Sequence, residues 1–200
     1  HPNIVKLLDM FEYEGQHYLV MDYVSGGDLS KLIATGDIPL ETVLTLSIDL
    51  ADALTRAHKL DIIHRDLKPE NVLIGDDGVL RLTDFGIARI GSQGRVTETD
   101  LVMGTLPYMP PEAFDDVSID TRYDVWAFGV ILFELLAGQR PFDDNGLIAN
   151  ILSAPLPDLE ALCPDAPIAL VDLVYRMLER NIDARIPSVR HAGAALEDIL

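Results

Sequence analysis

Four side chains near the middle of the sequence have types and spacings suited to moving a phosphoryl group: Asp66, Lys68, Asn71 and Asp84. Between the last two lie short apolar runs at 72–74 and 79–82, separated by Gly75, Asp76, Asp77 and Gly78. That pattern predicts a hairpin with a tight turn. Residues at equal offsets from the turn of an antiparallel pair face each other, so a turn near Asp77 makes Asn71 and Asp84 neighbours. Two hard oxygen ligands side by side suit Mg²⁺, which takes one or two protein oxygens and completes its shell with phosphates and water. Asp66, five residues before Asn71, can orient an attacking hydroxyl, and Lys68 can set a positive charge against the transferring group. A base, a cation and two metal ligands are the parts that phosphoryl transfer needs.

The residues around these four extend the pattern. His64, Arg65, Asp66, Leu67, Lys68, Pro69, Glu70 and Asn71 run without a break, followed by Asp84, Phe85 and Gly86, then Pro110, Pro111 and Glu112, then Asp124 to Gly129, and finally Arg185. In these segments, which cover nearly the whole chain in the right order, the sequence resembles the eukaryotic-type protein serine/threonine kinase family. The resemblance implies an α+β, protein-kinase-like fold. A remnant β-hairpin and hinge of the upper lobe would occupy 1–24. A mainly helical lobe would occupy 25–200, with a catalytic loop at 64–71 and an activation segment at 84–112. It implies transfer of the γ-phosphoryl group of ATP, with Mg²⁺, to Ser or Thr hydroxyls of protein substrates. Asp66 would be the base and Lys68 would contact the γ-phosphate. Asn71 and Asp84 would hold the metal. Met21 (the gatekeeper), Asp22, Val24, Asp28, Glu70 and Leu73 would complete the nucleotide site, with Leu73 under the adenine. His64, Phe85 and Leu7 would stack in an apolar column, Asp124 would anchor the catalytic loop, and Arg185 would pair with Glu112.

Lys68 with Thr105 is similar to the serine/threonine-specific branch. Arg65 before the catalytic Asp is similar to members controlled by phosphorylation of the activation segment, where a phosphate orders a basic pocket. Thr97 and Thr99 are the candidate acceptors, and their surroundings resemble the two-threonine segment of bacterial members. Self-association for phosphorylation between copies fits the same picture. The family's Gly-rich loop, phosphate-pairing Lys and partner Glu are not in this sequence, so roughly a quarter to a third of the family's domain is expected to lie outside it. The 200-residue segment by itself is expected to hold ATP poorly and to be inactive. Two other readings stay open: a kinase-like scaffold that binds without catalysis, and a small-molecule phosphotransferase.

Each candidate also has a plainer reading. Asp28 is as well suited to capping a helix as to touching ribose or a basic substrate residue. Glu134, inside an apolar run, must be paired or at a lobe surface; the family suggests a substrate-facing acid. His64 reads as a packed core histidine. His1, His17, His58 and His191 show no paired ligand spacing, which argues against zinc.

The elements that must hold these residues can be read from periodicity. Apolar runs at 4–10 and 17–23 flank Glu14 and Gly15, a hairpin signal. Asp28 opens a short helix to about Ala34. Val43, Leu46, Leu50, Leu54 and Ala57 recur at helical steps over 41–59. Residues 87–111 are polar and rich in Gly, Thr and Pro, a long loop of the functional kind. The run 125–137 is apolar on all sides and predicts a buried helix stopped by Gly138. Further helices are predicted at about 145–152, 167–180 and 188–200. Strands followed by helices imply an α+β unit.

Composition narrows the function. Hydrophobic residues make up 48% and charged residues 24%, enough for a packed core. Fifteen Lys and Arg against 33 Asp and Glu give a formal charge of −18, which disfavours nucleic acid or anionic membranes as partners. A lone Cys163 excludes an internal disulfide framework and fits a reducing compartment. A cytoplasmic location is therefore expected, and a membrane anchor outside this segment is compatible with it.

Overall fold

The computed structural model describes residues 1–36, 38–85, 104–115, 119–142 and 144–200. Strands β1 (Leu7–Tyr13) and β2 (Gln16–Met21) form an antiparallel hairpin. Glu14 and Gly15 at its tip both have positive φ, 51° and 74°, the twist that closes a two-residue turn between right-handed strands. Phe11 and Tyr18 stack across it at 5.3 Å. Apolar residues stay exposed on both faces, among them Leu7, Met10, Phe11 and Tyr13.

The chain then passes through an extended segment to helix α1 (Leu29–Ala34). Gly26 allows this passage: a Cβ there would lie 2.2 Å from the carbonyl oxygen of Ile74. Helix α2 (Leu40–His58) carries the predicted apolar stripe, with Val43, Leu46, Leu50, Leu54 and Ala57 all buried. The second hairpin joins β3 (Val72–Ile74) to β4 (Leu80–Leu82), pairing Val72 with Leu82, Leu73 with Arg81 and Ile74 with Leu80. Its centre is Asp77, as the turn residues predict. The segment before β1 is fixed to β4: the Asn3 side chain donates to Leu80 O (3.1 Å), and Val5 N donates to Leu82 O (2.9 Å).

Helix α3 (Arg122–Ala137) is the hub of the helical part. Twelve of its sixteen residues are buried, including Asp124, Trp126 and Phe128. Being apolar all round, it is stable only when enclosed, and α2, α6 and α7 pack against it. Gly138 ends it in the left-handed conformation (φ 67°). Helices α4 (Leu147–Ser153), α5 (Leu159–Leu162), α6 (Ile168–Met177) and α7 (Val189–Ile199) complete the layer.

Several elements differ from the expectation, among them β1, which begins at Leu7 rather than near residue 4, and the short α5, which the sequence pattern does not predict. Helix α6 stops at Met177 rather than near residue 180. There Arg180 instead donates to the end carbonyls of α4, at Ile151 O (2.7 Å), Asn150 O (3.2 Å) and Ala154 O. Part of the predicted loop 87–111 is also structured. The 3₁₀ turn Leu106–Tyr108 buries Pro107 and Tyr108, and a second, Pro111–Phe114, buries Pro111. Among the described residues, no helix is long and apolar enough to cross a membrane.

Candidate active site

The loop after α2 makes its turn at a cost. Arg65 sits at φ 64°, a left-handed conformation that a side-chain-bearing residue holds only under restraint. The restraint is Asp124. Its Oδ1 accepts the Arg65 amide (3.0 Å), and its Oδ2 accepts the His64 amide (2.8 Å). This is the anchor expected for Asp124. The same Oδ2 lies 2.7 Å from His58 Nε2, a contact the sequence did not suggest.

His64 is fully buried, and its ring lies 4.8 Å from that of Phe85. Its Nε2 is 2.8 Å from Thr83 O. A carbonyl only accepts, so Nε2 carries the hydrogen, and Nδ1 can accept the Asp66 amide (3.4 Å). Burial pushes the imidazole below its ordinary pKa, against the pull of Asp124. The ring is therefore a neutral packing and hydrogen-bonding element, as the plainer reading held. Leu7, the proposed third member of the column, is exposed at 53%.

Beyond this turn the polar side chains converge. Asp66 Oδ1 accepts the Thr105 hydroxyl (2.7 Å), and Thr105 Oγ1 in turn accepts from Lys68 Nζ (3.0 Å). Asp66 Oδ2 lies 3.4 Å from Lys68 Nζ and accepts from Asn71 Nδ2 (3.0 Å). Asn71 Nδ2 also donates to Asp66 O (2.8 Å). Both amide hydrogens of Asn71 are thus directed at Asp66, which leaves its side-chain oxygen as the atom available to a cation. The Thr83 amide donates to Asn71 O (3.0 Å), so the direct partner of Asn71 across the hairpin is Thr83, with Asp84 one residue beyond. Asp84 is exposed and, at φ 55°, turns the chain out of β4. A carboxylate and an amide oxygen at the end of one hairpin are a donor set that fits a hard divalent cation.

The nucleotide candidates lie along the hinge. Met21 Sδ accepts from the Thr83 hydroxyl at 3.6 Å, which puts this side chain beside β4. The Asp22 amide donates to Lys6 O (3.0 Å), and Gly27 O accepts the Ile74 amide (2.8 Å). Val24 lies between these two ties, and Leu73 is half-buried in β3 opposite Asp28. Asp28 does cap α1: it accepts from the Lys31 amide (3.1 Å) and the Ser30 hydroxyl, and pairs with Lys31 Nζ at 3.2 Å. Burial opposes its ionisation, but these hydrogen bonds hold its carboxyl below the usual range. Glu70 is exposed. A cavity of about 670 Å³ touches Asp22, Val24 and Ser25 together with Gly75, Asp76 and Arg81, and contains none of Asp66, Asn71 or Asp84.

Two further pairs flank the centre. Arg185, with no exposed side-chain surface, grips Glu112 with both terminal nitrogens (2.7 and 2.9 Å). It also donates to Glu179 O (2.9 Å) and Arg122 O (3.0 Å) and lies over the Trp126 ring at 5.1 Å. The expected pairing is present. Glu134 accepts the Tyr108 hydroxyl (2.7 Å). Burial raises the Glu134 pKa, with the Tyr108 hydrogen bond opposing, and burial beside Glu134 raises that of Tyr108. Nothing in the sequence named Tyr108 as its partner. Gly86, Thr97 and Thr99 lie outside the described residues. Among the described residues, no group of three or more His, Cys, Asp and Glu could hold a metal by itself.

Comparison with known proteins bears directly on this arrangement. Residues 1–193 match the protein kinase domain. The chain belongs to the protein kinase family. Its two small antiparallel sheets and helix-rich remainder are an α+β arrangement of the kinase-domain kind. It is 37% identical to a probable serine/threonine-protein kinase PknB of Lactococcus lactis, over 94% of this chain and 31% of that protein. It is 36% identical to serine/threonine-protein kinase PknL of Mycobacterium tuberculosis, over 93% of this chain and 48% of that protein. It is 34% identical to serine/threonine-protein kinase PrkC of Bacillus subtilis, over 90% of this chain and 28% of that protein. The chain thus spans between about a quarter and a half of the length of these relatives.

Proposed function

We propose that the protein carrying this chain transfers the γ-phosphoryl group of ATP to Ser and Thr hydroxyls of other proteins, in a Mg²⁺-dependent reaction. The observation that carries the reading is the convergence of Thr105, Lys68 and Asn71 on the two oxygens of Asp66, at 2.7 to 3.4 Å. Asp66 orients the acceptor hydroxyl and takes its proton as the phosphoryl group moves. Thr105 and Asn71 fix the carboxylate so that no reorganisation is needed at that moment. Lys68 places positive charge beside the transferring group. Asn71 and Asp84 would hold Mg²⁺, which neutralises charge on the phosphate oxygens. Asp22, Val24 and Leu73 receive the adenine, beneath Met21, and Asp28 and Glu70 border the remaining nucleotide and substrate surface.

The acceptor reading follows from the same triangle. Thr105 ties the segment that ends at Glu112 to Asp66, and Arg185 fixes Glu112 to the helical core. A protein substrate lying along that segment meets Asp66 at a fixed distance. Phosphorylation at Thr97 or Thr99, between copies of the protein, would act through Arg65, which is held beside Asp66 by Asp124.

The test is Asp66→Asn in the full-length protein, assayed by phosphate incorporation from labelled ATP into protein. The expected result is a fall in rate of about 10²–10⁴-fold, with the thermal midpoint changed by no more than about 2 °C. A near-normal rate would show that Asp66 is not the base.

A further inference from the structure

We propose that Arg180 is a positioning residue for the segment along which a protein substrate lies. It holds the end of α4 and, through the rings of Phe142 and Trp126, steadies the pair that Arg185 makes with Glu112. The inference rests on the phosphotransfer reading, and Arg180 itself lies outside the site described above.

Arg180 is half-buried, and among the described residues its guanidinium bonds only main-chain oxygens: Ile151 O (2.7 Å), Asn150 O (3.2 Å) and Ala154 O. All three lie at the end of α4, a helix of seven residues. The last carbonyls of a helix have no partner inside it, and a helix so short is not stable alone. Arg180 supplies those partners. The same guanidinium lies over the Phe142 ring, 5.7 Å from its centroid. Phe142 is buried and stacks on Trp126 at 6.0 Å with the planes 5° apart. Arg185 in turn lies over the Trp126 ring at 5.1 Å. Two parallel rings thus connect one cation to the other. Both cations also leave one short loop, since Arg185 Nε donates to Glu179 O (2.9 Å), the residue before Arg180.

Each ring contact is modest by itself. Their effect comes from close packing: a buried ring cannot shift without its neighbour following, because the interior holds little free volume. Without Arg180, the Phe142 ring loses the cation on it and the end of α4 loses its donors. Movement of Phe142 then passes to Trp126 and to the guanidinium of Arg185. Arg185 holds Glu112 with both terminal nitrogens. Glu112 ends the segment that begins at Thr105, whose hydroxyl donates to Asp66. Loosening at Glu112 therefore frees that segment relative to the base. Nucleotide contacts along 21–28 are carried by other elements, so binding of ATP is not affected.

The experiment uses the full-length protein with Arg180→Met, which keeps the apolar stem and removes the donors and the charge, and Phe142→Leu, which removes the ring and leaves Arg180 in place. Hydrogen exchange is followed by mass spectrometry at the amides that close the two 3₁₀ turns, those of Tyr108, Met109, Ala113 and Asp115. Both variants are expected to accelerate exchange there by about 2- to 30-fold, with α2 unchanged. Exchange at the Ala154 amide, bonded to Asn150 O, is expected to accelerate in Arg180→Met and not in Phe142→Leu. With dephosphorylated casein as acceptor, kcat/KM for the protein is expected to fall over the same range in Arg180→Met, and KM for ATP to stay within about twofold of the parent. Acceleration confined to 147–154 in Arg180→Met overturns the proposal, because it describes a residue that serves α4 alone. So does acceleration shared by α2, which describes a general loss of stability, and so does unchanged exchange at 108–115 in Phe142→Leu. If Arg180→Met does not fold, Arg180→Lys, whose point charge cannot serve three carbonyls at once, is measured in its place against the same outcomes. The exchange measurement needs no turnover, so a failure of the phosphotransfer reading, seen as activity surviving Asp66→Asn, is distinguishable from a failure of this one.

Discussion

Replacing Arg185 with alanine removes a cation whose side chain has no exposed surface and takes a donor away from four acceptors. Two are the oxygens of Glu112, at 2.7 and 2.9 Å, and two are the carbonyls of Glu179 and Arg122. The Trp126 face also loses its cation. Glu112, about a tenth exposed at its side chain, becomes a nearly buried charge with no partner. Breaking one side of such a pair costs about 3–5 kcal/mol. In a domain of this size each kcal/mol moves the thermal midpoint by about 2–4 °C, so the expected fall is about 6–20 °C. Arg185→Lys should recover little, because a point charge cannot make both contacts to Glu112. The double variant Arg185→Met, Glu112→Leu should recover most of the loss, since removing both charges takes away their desolvation cost as well. Differential scanning calorimetry on the protein's kinase domain reads all three. A midpoint for Arg185→Ala within about 2 °C of the parent would refute the reasoning. So would a double variant no more stable than the single.

Glu134→Gln should flatten the pH dependence of stability on the acid side. Burial raises the folded-state pKa of Glu134, so the folded protein holds a proton that the unfolded chain has released. Stability from this group is therefore present below the unfolded carboxyl value and declines as pH rises through the raised one. Midpoints measured from pH 4 to pH 8 should converge for parent and variant at the acid end, with the variant higher at neutral pH, and parallel curves would contradict this. Gly26→Ala should loosen the hinge. Its Cβ would meet the Ile74 carbonyl at 2.2 Å, a backbone atom that cannot rotate away. The expected destabilisation is about 1–3 kcal/mol, with accelerated exchange of the Ile74 amide, which is bonded to Gly27 O; an unchanged exchange rate would sink the prediction.

What the sequence made legible was local. The turn residues Gly75 to Gly78 located the β3–β4 hairpin, and its centre at Asp77 set Asn71 and Asp84 at one end of it. The only adjustment is a single position, with Thr83 directly opposite Asn71. The apolar stripe of α2 and the all-round apolarity of α3 gave both helices and their burial within a few residues. Asp28 proved to be the cap that its type and place predicted. What could not be read depended on partners far along the chain. His58 meets Asp124 across 66 positions and Tyr108 meets Glu134 across 26, with no periodicity linking either pair. Helix α6 ends at Met177, and beyond it Arg180 bonds the end of α4, a contact that helical periodicity does not announce. The 3₁₀ turns near Tyr108 fell in a stretch whose composition reads as loop, and burial against α3 organises them.

The most direct measurement is the dependence of phosphoryl transfer on Mg²⁺ in the full-length protein, for the parent and for Asp84→Ala. If Asp66, Asn71 and Asp84 serve one site, the parent's incorporation of labelled phosphate rises with Mg²⁺ and saturates. The variant, folded by circular dichroism, then shows less than about a hundredth of that rate at every Mg²⁺ concentration. Transfer by Asp84→Ala at near the parent rate, with the same Mg²⁺ dependence, would contradict the account.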